Sequence, residues 1–207
     1  MKTLMFTTFF LACSALTSYS QSITKAKTDT LNVPYTYWCE SGGPFIEDCG
    51  VRYSIVFTGT VTKICKIPRN NTKPGDSTDI DLYVPQYGVI KINDVKIKNP
   101  PKNDRRKYIG KNFSDEKYFK SDCFFNLKLR KGDKVIVFVY SYDGEYSIPR
   151  NSILKVKNFN DPIILSVEKY IKNNQDPLSI EADTTIWKKY GQDNFLKKRI
   201  ECRLLND

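Results

Sequence analysis

Histidine is absent from this chain. Its absence removes the commonest general base, the Ser-His-Asp and Cys-His arrangements, and the ligand most catalytic zinc sites use. No Cys-x-x-Cys pair occurs either, so structural zinc is not expected. Glycine-rich phosphate loops of the P-loop or dinucleotide type are missing. No apolar run reaches the roughly 20 residues that a membrane-spanning helix needs. Internal repeats and long low-complexity tracts are lacking as well. For catalysis there remain a carboxylate pair, a lysine base or a lone cysteine. Asp79/Asp81 and Asp115/Glu116 are close in sequence, but in polar, loop-like contexts where charges are normally solvated. Asp76, Asp79 and Asp81 lack the regular alternation and closing glutamate of a calcium loop. We therefore assign no catalytic residue, no cofactor and no metal ligand. A carboxylate-based hydrolase is kept only as the lesser alternative.

The 207 residues suit one domain with an appendage, and a 40% apolar content is enough for a core. Tyr 13 and Phe 12 lean the composition toward strands. Lys+Arg 33 against Asp+Glu 23 gives a formal net charge of +10. Most of this excess is scattered, with short clusters at Lys102–Lys107 and Lys197–Arg199, so we read it as solubilising and expect no nucleic-acid partner.

Lys2, the apolar Leu4–Leu16 segment and the small residues of Ser18-Tyr19-Ser20 read as a cleaved secretion signal over 1–20, with a mature start at Gln21. Lipoprotein processing at Cys13, after Phe10-Leu11-Ala12, is the alternative and would give a lipid anchor in place of a secreted or periplasmic product. Removal of Cys13 leaves Cys39, Cys49, Cys65, Cys123 and Cys202 as disulfide candidates. One of these must stay over, and spacing does not choose the pairs.

Residues 21–38 form a polar, threonine-rich lead-in ending in the aromatic group around Trp38. Tyr53–Ile67 alternates apolar and threonine residues as a long strand, and Gly59 in its middle predicts a bulge or bend. Gly88–Lys98 is a second strand whose phase slips at Asn93-Asp94, which predicts another bulge. Asn99–Phe119 is a long charged insertion containing Arg105, Arg106 and Lys107. Cys123, Phe125, Leu127 and Leu129 alternate as a third strand. Lys131-Gly132-Asp133 then launches the wholly apolar run Val135–Tyr140, and Asp143-Gly144 turns it back as a hairpin. Ile153–Val156 is a short edge strand or link. Asp161-Pro162 opens a helix with Ile163, Val167, Tyr170 and Ile171 on one face. Thr184–Leu204, interrupted at Gly191, is two short helices or one broken one. Asn70 and Asn112 head formal glycosylation sequons that matter only in a eukaryotic host.

Four of these stretches, in order, resemble one family. IVFTGTVTKI, GVIKINDVKIK, LRKGDKVIVFVYSYDGEY and NDPIILSVEKYI are similar to the strands, closing hairpin and following helix of netrin-like domains, shared with tissue inhibitors of metalloproteinases. The resemblance spans Cys39–Asn174 and implies a mainly β, α+β chain overall. Its five-stranded Greek-key OB-fold-like barrel would be followed by C-terminal helices. On this reading 39–175 is the netrin-like domain and 176–207 a helical extension. The resemblance also implies a binding module whose partner is an unknown protein or an anionic polysaccharide. Arg105, Arg106 and Lys107 are then the first candidates for contact. Protease inhibition through loop insertion is the alternative. The family's inhibitors chelate the protease zinc through an N-terminal cysteine, which the mature start at Gln21 does not supply. The usual final cysteine after the hairpin is replaced by Ser147-Ile148-Pro149.

Overall fold

The computed structural model describes residues 29–33, 35–36, 44–45, 53–66, 86–98, 116–125, 127–142, 145–149 and 151–205. Val135 to Val139 have no exposed surface at all. A strand without polar alternation must be covered on both faces, and this one is. It is the centre of β6 (Lys134–Tyr142), launched from the turn at Gly132, whose φ of 93° suits glycine. Val135, Val137 and Val139 point into an inner core, whereas Ile136, Phe138 and Tyr140 point out beneath a layer of helices.

Around β6 lie β1 (Thr30–Asn32), β2 (Tyr35–Thr36), β3 (Ile55–Ile64), β4 (Gly88–Lys98), β5 (Tyr118–Ser121), β7 (Glu145–Pro149) and β8 (Ile153–Val156). They form one strongly curled, half-barrel sheet in the order β1-β5-β4-β3-β6-β7-β2, with β8 pairing β6 beside β7. The chain is thus mixed α+β and mostly β.

Curling has local causes. The β3–β4 register shifts at Val56/Phe57, Thr58/Gly59 and Val61/Lys63. Each bulge adds twist and bends the strand. The Thr58↔Asp94 and Gly59↔Ile92 pairs leave Asn93 without a partner opposite, so the expected phase slip at Asn93-Asp94 is a bulge. A Cβ on Gly59 would lie 2.3 Å from Ile90 Cγ2 and 2.7 Å from the Lys91 carbonyl oxygen. Glycine at 59 therefore lets two backbones approach where the sheet bends.

Two expectations are corrected. The third strand lies at Tyr118–Ser121, ahead of the predicted Cys123–Leu129; Cys123 makes only an isolated bridge to Gln86. Phe124 is the reason. Its ring packs where a side chain on Gly88 would stand, 2.4 Å from a Cβ there, and the chain turns at Phe124–Leu127 to seat it. The lead-in is also more than a tail: β1 and β2 pair in parallel with β5 and β7, and Leu31 and Val33 are 2% exposed.

The helical layer follows the predicted boundaries. Asp161 caps α1 (Pro162–Lys172) by accepting from Ile163 N–H at 3.2 Å. A 3-10 helix at Pro177–Asp183, α2 (Thr184–Lys188) and α3 (Asp193–Leu205) complete the layer, with Gly191 at φ 67° between the last two. Trp187, fully buried, donates its indole N–H to Ser166 Oγ at 2.9 Å, and Ser166 donates to Asp183 at 2.8 Å. Val56, Phe138 and Tyr140 of the sheet and Ile163, Val167, Trp187 and Leu196 of the helices share one core. Among the described residues no helix is long and apolar enough to cross a membrane.

Candidate binding surface

The helices cover only half of the outer side of the sheet. Among the described residues no helix lies over β5, the first half of β4 or the second half of β3. Phe119, Ile90 and Val61 are 0%, 0% and 1% exposed and point into the inner core. Alternation then turns their neighbours outward. Two cross-strand rows result. Asn32, Lys120, Val89 and Lys63 are successive register partners, as are Thr30, Tyr118, Lys91, Thr60 and Lys134. The bulge at Val61/Lys63 leaves Lys63 exposed.

Neither row contains a carboxylate. Strands lie about 4.8 Å apart and alternate residues along a strand about 6.8 Å apart. Lys63, Lys91, Lys120 and Lys134 are thus brought within roughly 10–15 Å of one another at their Cα atoms. Sequence distance conceals this, because the four lysines come from four separate strands.

The seam between the helix-covered part and the rest of the outer side is held by a polar chain. Lys134 Nζ donates to Thr60 Oγ1 at 2.9 Å, and Thr60 Oγ1 donates to Asn93 Oδ1 at 2.9 Å. The same ammonium lies 5.1 Å from the centroid of the Phe159 ring. Lys120 Nζ lies 5.3 Å from the centroid of Tyr87, a ring that is 45% exposed. Lys96 marks the opposite border, pairing with Asp94 at 2.6 Å and with Glu168 of α1 at 2.5 Å. Burial alone would lower its pKa, but the two carboxylates outweigh that and hold it above the ordinary lysine value. Lys96 is therefore fixed in structure, whereas Lys63 and Lys91 have no ion pair among the described residues.

Comparison of the chain with protein-family models, curated proteins and solved structures finds no match.

Arg105, Arg106 and Lys107 lie outside the described residues, as do Cys39, Cys49, Asp76, Asp79, Asp81, Asp115 and both sequons. Their insertion joins the end of β4 to the start of β5, the two strands that carry Lys91 and Lys120. Of the disulfide candidates, Cys202 is bonded, whereas Cys65 and Cys123 are free thiols. Cys123 is buried against the inner core, and desolvation pushes its pKa up to about 12, so it is an inert packing thiol. Among the described residues no group of three or more acidic or cysteine side chains is placed to hold a metal ion.

Lys63, Lys91 and Lys120 were the residues that reading the sequence passed over. Each sits at a polar position of an alternating strand, which looks like ordinary solvated surface until the register aligns them.

Proposed function

We propose that this chain is an exported, non-enzymatic binding module of netrin-like type, and that its helix-free outer face takes an anionic polysaccharide. The observation that carries this is the pair of cross-strand rows, which gather Lys63, Lys91, Lys120 and Lys134 on one face with no carboxylate between them. A linear polyanion with closely spaced charges meets several ammonium groups at once on such a face.

The fold reading has its own support. The order β5-β4-β3-β6-β7 follows the Greek-key path of a five-stranded OB barrel, and α1 follows the closing hairpin as it does in the resembling family. The absence of histidine and of a glycine-rich phosphate loop favours binding over catalysis.

The test is retention of the mature protein on a heparin-type resin. Each exposed charge contact is worth up to about 1 kcal/mol, so Lys63→Ala/Lys91→Ala/Lys120→Ala together should weaken binding roughly tenfold and elute at lower salt. The Arg105→Ala/Arg106→Ala/Lys107→Ala variant measures what the insertion adds. Lys172→Ala, on the helical side, should leave elution unchanged. Unaltered elution of the strand variant would reject this face as the site.

A further inference from the structure

We propose that Tyr118 is the residue of the lysine face that makes its ligand a sugar polymer. Its ring, with Val89 beside it, is a platform for the C–H face of one pyranose, and Lys91 and Lys120 flank that platform to take the anionic groups the sugar carries. This rests on the polyanion reading above and adds the chemistry that reads the carbohydrate.

The two rows are offset so that charge alternates with neutral surface. Tyr118 stands opposite Lys91, and two residues on Lys120 stands opposite Val89. One strand further, Lys91 stands opposite Thr60 and Val89 opposite Lys63. Across the strands each of these lysines therefore has neutral neighbours. Lys120, Lys91 and Lys63 meet one another only on diagonals, with Cβ atoms about 7–8 Å apart. Tyr118 and Val89 occupy the diagonal that crosses Lys91–Lys120. A polyanion that is charged over its whole surface gains nothing from these two positions. A sugar ring sets its C–H face on them, against the electron-rich face of the phenol, and holds its charged substituents at its edge, toward the lysines.

Tyr118 is placed to be met from outside. Its N–H donates to the Asp29 carbonyl at 2.8 Å, and its strand is paired with β1 on one side and β4 on the other, so the base of the ring is fixed. The side chain is half-buried, and Lys91 and Lys120 are exposed. Among the described residues Tyr118 has no hydroxyl partner, ring contact or cation of its own. Lys120 leans away from it, its ammonium 5.3 Å from the Tyr87 centroid beyond Val89. A phenol ring fixed at its base and unpartnered at its tip suits a rigid contact to a ligand. Single-stranded nucleic acid stacks successive bases on several rings. The outward neighbours of Tyr118 are Thr30, Lys91, Lys120 and, diagonally, Val89, so a single ring is offered here.

The test titrates the full mature chain, at one salt concentration, with a heparin-type oligosaccharide, with inorganic polyphosphate and with an oligothymidylate. Tyr118→Ala should weaken binding of the oligosaccharide about fivefold and of the other two less than about twofold. Tyr118→Phe keeps the ring and should bind the oligosaccharide as the wild type does. Tyr118→Thr lacks the ring but suits a strand, so it should reproduce the alanine result even where alanine loosens β5. Lys63→Ala/Lys91→Ala/Lys120→Ala should weaken all three ligands, which tests the face itself. Where it does so, and the alanine and threonine variants shift all three ligands equally or none of them, the face stands and the sugar platform is overturned. A loss confined to the oligothymidylate overturns the platform in favour of a stacked base. A lysine variant that binds all three ligands unchanged rejects the polyanion reading, and the platform with it.

Discussion

The side chain of Gln175 takes the place of a strand partner for Tyr53: it accepts from the Tyr53 N–H at 2.8 Å and donates to the Tyr53 carbonyl at 3.3 Å, across 122 residues of sequence. Both groups are buried. The link ties the end of α1 to the start of β3, and it is bought with backbone strain, since Asn174 and Gln175 both hold positive φ, 57° and 58°. Gln175→Ala leaves the buried Tyr53 N–H and carbonyl unsatisfied. It should cost about 2–4 kcal/mol and lower the melting temperature by roughly 2–4 °C per kcal/mol. Gln175→Gly loses the same bonds but relieves the left-handed backbone, so it should be about 1 kcal/mol more stable than the alanine variant. Equal melting temperatures for the two variants would mean that residue 175 does not keep this conformation.

Gly59 supplies the second prediction. A methyl group there meets a side-chain carbon of Ile90 and, harder to displace, the backbone oxygen of Lys91. Gly59→Ala should cost about 3 kcal/mol as an overpacked site. Because the limiting contact is backbone, adding Ile90→Ala should not restore stability. Recovery in that double variant, followed by denaturant unfolding, would show that the side chain alone forbids alanine.

How much of this was legible beforehand depended on the length of each pattern. The apolar run Val135–Tyr140, the glycine in β3, the slip at Asn93 and the Asp161-Pro162 cap are local rules with local consequences, and each is found where it was expected. Leu31-Asn32-Val33 is only three residues long and carries no period that distinguishes a strand from a tail. Its pairing with β5 is a tertiary fact. Cys123–Leu129 failed for another reason. Its period-2 pattern is real, yet the large ring of Phe124, on the opposite phase, seats against Gly88, where any side chain would collide with it, and packing overrides periodicity. The lysine face needed register across β3, β4 and β5, which sequence does not give.

The cysteines allow a direct chemical test. Cys65 is half-buried, whereas Cys123 is 9% exposed with its thiol proton held by desolvation. In the native protein at neutral pH, an alkylating reagent should modify Cys65 and spare Cys123. Unfolding in denaturant without reductant should then expose Cys123 but not Cys202, which is bonded. With Cys65 and Cys123 free, the partner of Cys202 is to be sought among Cys13, Cys39 and Cys49. We expect Cys39 or Cys49 in leader-free material, which would staple α3 to the N-terminal part of the chain. Non-reducing peptide mapping decides it, and native labelling of Cys123 at the rate of Cys65 would contradict its burial.

The pair Asp161–Tyr190 makes stability depend on pH at both ends of the scale. Burial would raise the Asp161 carboxyl, but the Tyr190 hydroxyl and the N–H groups of Lys157 and Ile163, at 3.1 and 3.2 Å, outweigh it and hold the pKa below the ordinary aspartate value. A depressed folded-state pKa contributes stability that is present above the unfolded value of about 3.9 and is lost as pH falls through the folded one. Tyr190 shifts the other way: burial first, then the Asp161 carboxylate, raise its pKa. Tyr53 is raised well above the ordinary value, by burial first and then by Tyr140 and Tyr170, with Arg199 opposing in part. Raised folded-state pKa values contribute stability that is full below the unfolded value of about 10 and is lost as pH climbs toward the folded values. Tyr190→Phe removes one donor to Asp161 and one raised phenol together. Its acid unfolding midpoint should move to higher pH, while its stability should fall less steeply above pH about 10 than that of the wild type. An acid midpoint that stays put in a chemical-denaturation series across pH would show that Tyr190 does not stabilise the Asp161 carboxylate.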